Sequence, residues 1–314
     1  MQFWALIVDS FRESRDRKIF WVILVMSGVI ALAMASVRFD GDRVSFLFGL
    51  WERSSDYYNP LTGAGRSALV GGVVYLLLMF ALGWVGIILT IIATAGFFPT
   101  MMERGTIDVL LSKPISRPRL FFYKYLSGML FVLIQATVFV VLTFLVMGFR
   151  WGIWVPGYLM CIPLLVLLFS YLYCVSVLVA VRTRSAVAAI LVSLAVWFLY
   201  ACPNTALGVF QAYPDLQKHQ RWYQAVRVLA WIPPKTGDIP YLAARWSQAG
   251  TSLDVFPEEL MEGASMTDRE QLDRARDLEE QELKKNPWVS IGSSLLFEVV
   301  IVFWGMWVFT RQDH

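Results

Sequence analysis

Long apolar runs recur along the chain, several of them free of internal charge over the roughly 20 residues that a crossing of the hydrocarbon core requires. They predict spans from about Ile19 to Val37, Leu69 to Phe98, Leu120 to Met147, Trp154 to Val181, Ala186 to Gly208 and Trp288 to Phe309. The second run exceeds a perpendicular crossing, which predicts tilt. Pro163 removes one backbone donor within span four and predicts a kink. Only "RTRS" at 182–185 joins spans four and five. Those two helices must therefore be antiparallel neighbours. Ahead of span one, Phe3, Trp4, Leu6, Ile7 and Phe11 are set against Asp9, Arg12, Arg15 and Arg17, the pattern of a helix lying along the membrane surface. Span one ends in "AMAS", but its apolar run is longer than the ~7 to 15 residues of a signal sequence, so it reads as an anchor.

Two polar segments interrupt the runs. Residues 38–67 balance their arginines with Asp40, Asp42, Glu52 and Asp56. Residues 210–287 contain a helical stretch in which Thr267 and Glu270 fit a capping box and Asn286 with Pro287 form the stop. Glu270 with Arg274, Arg276 with Glu280 and Glu280 with Lys284 have the spacing of a solvated helix face. An exposed arm and a docking surface for an extracytoplasmic protein both fit. Composition agrees with the periodicity: 57% hydrophobic and 16% charged residues are too apolar for an ordinary soluble domain. The fold class is an all-α polytopic membrane protein with six transmembrane helices, an N-terminal amphipathic interface helix, and a helical extracytoplasmic segment between spans five and six. The parts are 1–18, interface helix; 19–209, spans one to five; 210–287, extracytoplasmic segment; and 288–314, span six and tail.

Lysine and arginine in short loops orient the chain. With the N-terminus in the cytoplasm, Arg12, Arg15, Arg17 and Lys18 fall inside, as do Arg104, Lys113, Arg117 and Arg119, then Arg182 and Arg184, then Arg311. Both termini are thus placed inside, in a bacterial cytoplasmic (inner) membrane. The net charge of +3, without a dense basic run, speaks against nucleic acid as a partner and leaves membrane lipid. Cys161, Cys174 and Cys202 lie in apolar stretches without paired spacing and read as packing residues.

Candidate chemistry is sparse. His219 and His314 are the sole histidines, and neither a metalloprotease helix nor a nucleophile elbow occurs. No phosphate-binding loop is present, since "GAGRS" at 63–67 lacks the spacing and the lysine. The segment 102–119 is distinctive. Thr106 suits a helix cap with Asp108 in the first turn, Pro114 breaks the helix near Lys113, and Ser116 with Pro118 opens the next. Ile107, Leu110 and Leu111 would sit on one short helix beside Glu103, Arg104 and Lys113. A docking knob for a soluble partner and a basic loop dipping its leucines into the lipid interface both fit that pattern. Within the spans, Glu298 stands ten residues after Trp288, ~15 Å along a helix and near mid-bilayer, where Gln135 is a candidate partner at similar depth. An interhelical hydrogen bond and a place in the translocation path are both open. Ser185, Ala189 and Ser193, with Ala31 and Ala35, have the small-residue spacing of close helix packing.

The stretch "ERGTIDVLLSKPISRPRLFFYKYL" from Glu103 resembles the signature of ABC type-2 permeases, the membrane subunits of a class of ATP-driven exporters. The matching positions are Glu103, Gly105, Thr106, Leu110, Leu111, Pro114, Ser116 and Arg117. Ile107 stands where leucine is commoner. "DSFRESRDRKIFWVIL" is similar to the family's basic surface helix, and "WIPPKTGDI" to its last external segment. The resemblance implies that 102–119 is a coupling helix seated on a separate cytoplasmic ABC ATPase. It also implies that ATP and Mg bind that partner with no cofactor in this chain, and that a second permease subunit pairs through spans one and five. Three functions follow as expectations. The first is an exporter permease; the second is a mechanotransmitting subunit that drives an extracytoplasmic partner through 210–287; the third is an ion-coupled carrier built on Glu298.

Overall fold

The computed structural model describes residues 18–40, 43–54, 84–103, 105–106, 115–212, 224, 234–235, 238–247 and 286–312. The surface helix expected before Lys18, the first part of span two and the arm ending at Asn286 lie outside the described residues. The helices are α1 (Lys18–Ala35), α2 (Trp84–Ala95), α3 (Phe97–Met101), α4 (Arg117–Trp151), α5 (Cys161–Thr183), α6 (Ala186–Ala212), α7 (Asp238–Ser247) and α8 (Pro287–Arg311). A 3-10 helix, Pro156–Met160, leads into α5. Four elements are long and apolar enough to cross a membrane: α1, α4, the continuous 156–183 stretch and α8. Shorter apolar stretches at Gly86–Met101 and Ala186–Leu199 accompany them.

The helix boundaries follow local chemistry. Pro163 is the third residue of α5, where a missing N–H is tolerated. A junction between 3-10 and α geometry lies just before the proline. At the other end of α5, Arg184 adopts a left-handed conformation (φ 54°) and its N–H bonds Ala180 O at 2.8 Å. That single residue turns the chain into α6, which packs extensively on α5, so the antiparallel pairing holds.

The all-α expectation needs one addition. Residues 38–54 form a three-stranded antiparallel meander of β1 (Arg38–Asp40), β2 (Arg43–Phe46) and β3 (Trp51–Ser54). Aromatic or β-branched residues fall in register, Phe39 opposite Val44 and Phe46 opposite Trp51. Two residues separate β1 from β2, a hairpin spacing.

α5 is the hub. Its most apolar window is 78% buried, against 39% or less in the other long helices. A helix apolar on every side belongs inside a bundle. One core cluster gathers Phe97, Phe98, Met101, Leu120, Phe121, Phe131, Tyr173 and Phe309; a second gathers Ile91, Val140, Met147, Tyr158, Leu164, Ile239 and Leu242. Gly128 is required where α4 meets α5, because a Cβ there would collide with the Tyr173 ring.

α4 is 35 residues long, about 52 Å, well beyond a ~30 Å hydrocarbon core. Its two long partners are staggered along it. α1 follows the second half, from Phe20 beside Gln135 to Ala35 beside Arg150. α8 follows the first half, from Glu298 beside Tyr125 to Gln312 beside Arg117.

Candidate coupling site

Residues 102–116 connect α3 to α4, and both roots of this connection are embedded in the first core cluster. Met102 is 5% exposed and Ile115 packs on the same residues. Between them, Glu103, Gly105 and Thr106 are exposed. The Thr106 N–H donates to Glu103 O at 3.1 Å across Gly105. Gly105 has φ +90°, a conformation that any side chain would strain. Arg104, Ile107, Leu110, Leu111 and Pro114 lie outside the described residues.

Ser116 occupies the N-cap position of α4 with extended backbone (φ −69°, ψ 144°), and its carbonyl accepts from Leu120 N at 3.1 Å. Its hydroxyl makes no capping bond, contrary to expectation. A cap hydroxyl is normally offered the N–H of the second or third helical residue. The second here is Pro118, which has none. Arg117 takes a different role: its Nη1 donates to Thr310 O at 3.3 Å and Gln312 O at 3.0 Å. The start of α4 is thereby tied to the end of α8.

Glu298 and Gln135 do not meet. Gln135 is buried on α4 and donates its Nε2 to Phe20 O at 3.3 Å, joining α4 to α1. Glu298 is held by Tyr125, whose hydroxyl donates to Oε1 at 2.8 Å, and by Ser170, whose Oγ lies 2.7 Å from Oε2. Tyr125 and Gln135 are ten residues apart, ~15 Å along α4. Counting depth from helix ends failed because α4 overshoots and α8 begins lower. Ser170 Oγ also lies 2.8 Å from Leu167 O. A hydroxyl has one proton to give. The Ser170 hydroxyl therefore has two acceptors within reach, Glu298 Oε2 on α8 and Leu167 O on its own helix. Three spanning helices thus converge on one carboxyl. Tyr125 and Ser170 were missed by sequence reasoning; a serine inside "LLFSYLY" was a signal, but nothing in the sequence named its partner.

The small-residue stripe is consumed inside the chain. Ala189 and Ser193 have no exposed surface, Ala31 is 6% exposed, and Ser193 Oγ donates to Ala189 O at 2.7 Å. Ala31, Ala189 and Ser193 are therefore used in packing within the subunit, while Ala35 and Ser185 stay half-buried. The outward faces carry larger residues, Val22, Val25, Val29 and Leu32 on α1 and Val187 and Leu191 on α6.

A family model described as ABC-2 family transporter protein matches residues 4–314. The chain belongs to this family. No curated protein matches the sequence. As an ABC-2 permease, the chain is a multi-pass membrane subunit of a transporter, and not itself the ATPase. The roots of its 102–116 connection, together with Arg117 and the Glu298 cluster, link α3, α4, α5 and α8 into one mechanical unit.

Proposed function

We propose that this ABC-2 permease couples ATP hydrolysis by separate cytoplasmic ATPase subunits to export across the cytoplasmic membrane, as a homodimer or beside a similar subunit. The carrying observation is the embedding of the 102–116 connection at both roots, with Arg117 bridging from α4 to the last carbonyls of α8. A load applied at the roots of this connection reaches α4 directly and α8 through Arg117. Orientation rests on the arginines of the short loops. Both termini and Arg117, Arg182, Arg184 and Arg311 then face the cytoplasm. In this reading Leu110 and Leu111 fill a groove of the ATPase, with Glu103 and Arg104 at its rim.

Leu110→Asp or Leu111→Asp is expected to abolish co-purification of the ATPase while leaving membrane insertion intact. Retention of the ATPase by either variant overturns the docking role. The mechanotransmitter reading draws on α7, whose Ile239, Leu242 and Ala243 are buried against 156–160 and α5. A partner held by 210–287 would thus be joined to the bundle. Deleting 257–286 separates the readings: an exporter keeps substrate-stimulated ATP turnover, whereas a mechanotransmitter loses its partner.

A further inference from the structure

Where α5 and α8 end together, a groove of about 560 Å³ opens between them. Leu178, Val179 and Val308 form its apolar wall, Trp304 and Trp307 line it with about half their surface exposed, and Arg182 and Arg311 stand at its terminal end. From Trp304 to Arg311 the groove runs about 10 Å, nearly two helical turns, greasy along its wall and cationic at its end.

We propose that this groove binds one anionic phospholipid, its phosphate held between Arg182 and Arg311 and its upper acyl chain laid against Trp304 and Trp307. Two helix C-termini meet here, each carrying about half a negative charge that would ordinarily compete for the arginines. Three of the carbonyls at these ends are already occupied. Gln312 Nε2 donates to Val181 O at 3.1 Å, and Arg117 donates to Thr310 O and Gln312 O. Arg311 is instead stacked over the Trp307 ring, 4.3 Å from its centroid, which holds the guanidinium plane at the groove without spending its hydrogen bonds. Arg182 makes no hydrogen bond or ion pair among the described residues. The sequence places no acid between Asp108 and Asp215, nor between Glu298 and Asp313, so neither α5 nor the end of α8 supplies a counter-ion of its own. Basic pockets between spanning helices at the headgroup level are suited to anionic headgroups, and tryptophan is favoured at that same level. The apolar wall is what selects a lipid over free phosphate.

The test uses the full-length chain, with the subunits that co-purify, in phosphatidylcholine nanodiscs containing a minority of phosphatidylglycerol, with retained lipid read by native mass spectrometry. The doubly substituted Arg182→Gln/Arg311→Gln protein is expected to lose phosphatidylglycerol affinity by about 30-fold, each basic side chain contributing roughly fivefold near the surface. Arg182→Lys/Arg311→Lys should retain most of it, and Arg150→Gln, at the opposite end of α4, should match the wild type. Inorganic phosphate should not displace the lipid. Undiminished lipid retention in the glutamine double variant overturns the proposal. So does equal loss in Arg150→Gln, displacement by phosphate alone, or a second protein chain cross-linking through the groove. None of these readouts depends on ATPase docking, so the lipid site and the coupling role fail separately.

Discussion

At the scale of residues, Glu298 decides most. Its carboxyl gathers Tyr125 from α4 and Ser170 from α5 onto α8, accepting from both hydroxyls. Glutamine keeps an oxygen to accept from Tyr125, and its amide nitrogen can donate to Ser170 while the Ser170 hydroxyl donates to Leu167 O. Glu298→Gln is therefore expected to leave thermal stability in detergent near that of the wild type. Glu298→Ala strands the Tyr125 hydroxyl, while Ser170 keeps Leu167 O, and should cost about 1–2 kcal/mol, since buried unsatisfied groups cost more than the ~0.6 kcal/mol typical of a membrane hydrogen bond. Thermal unfolding of both variants checks this, and equal destabilisation would show that the oxygen accepting from Tyr125 is not what stabilises the cluster. Glu298 itself was legible in the sequence as a costly acid in an apolar run. Its partners were not, because hydroxyls that bond to a distant helix leave no periodic trace.

At the scale of elements, most spans ended close to where periodicity put them: α1 at Lys18–Ala35, α6 beginning at Ala186, α8 at Pro287–Arg311. Hydrophobic length is a local property, and lipid enforces it directly. The meander at 38–54 and the amphipathic α7 were not anticipated. Their short apolar sets, Phe39 with Val44 and Ile239 with Leu242, are too brief to stand out from polar surroundings. α7 closes the end of the bundle opposite the arginines, and Leu242 is 6% exposed there. Leu242→Asp should cost about 3 kcal/mol by burying an unpaired charge. The expected outcome is faster proteolysis within 210–287 with ATPase association unchanged. Unaltered cleavage kinetics would show that α7 does not seal the bundle.

At the scale of the whole molecule, α5 is the hub on which α4, α6 and α8 pack, while α1 and α8 share α4 by lying along different halves of it. The large outward side chains of α1 and α6 are exposed in the single chain, as a contact with a second permease subunit through spans one and five would require. Val29→Cys, 59% exposed in the single chain, is expected to form disulfide-linked dimers in membranes under mild oxidation, and Ser193→Cys, fully buried, is not. The reverse outcome on a non-reducing gel would restore the small-residue contact. Sequence alone determined the membrane class, the long apolar helices, the family-like segment before α4 and the absence of any nucleotide-binding loop from the sequence, since each depends on composition or spacing along a continuous stretch. Only the tertiary structure decided which polar groups meet, that Arg117 holds the end of α8, and that the two arginines ending α5 and α8 border one groove. Those facts depend on the stagger and rotation of helices against one another, which side-chain packing sets and hydrophobic length does not.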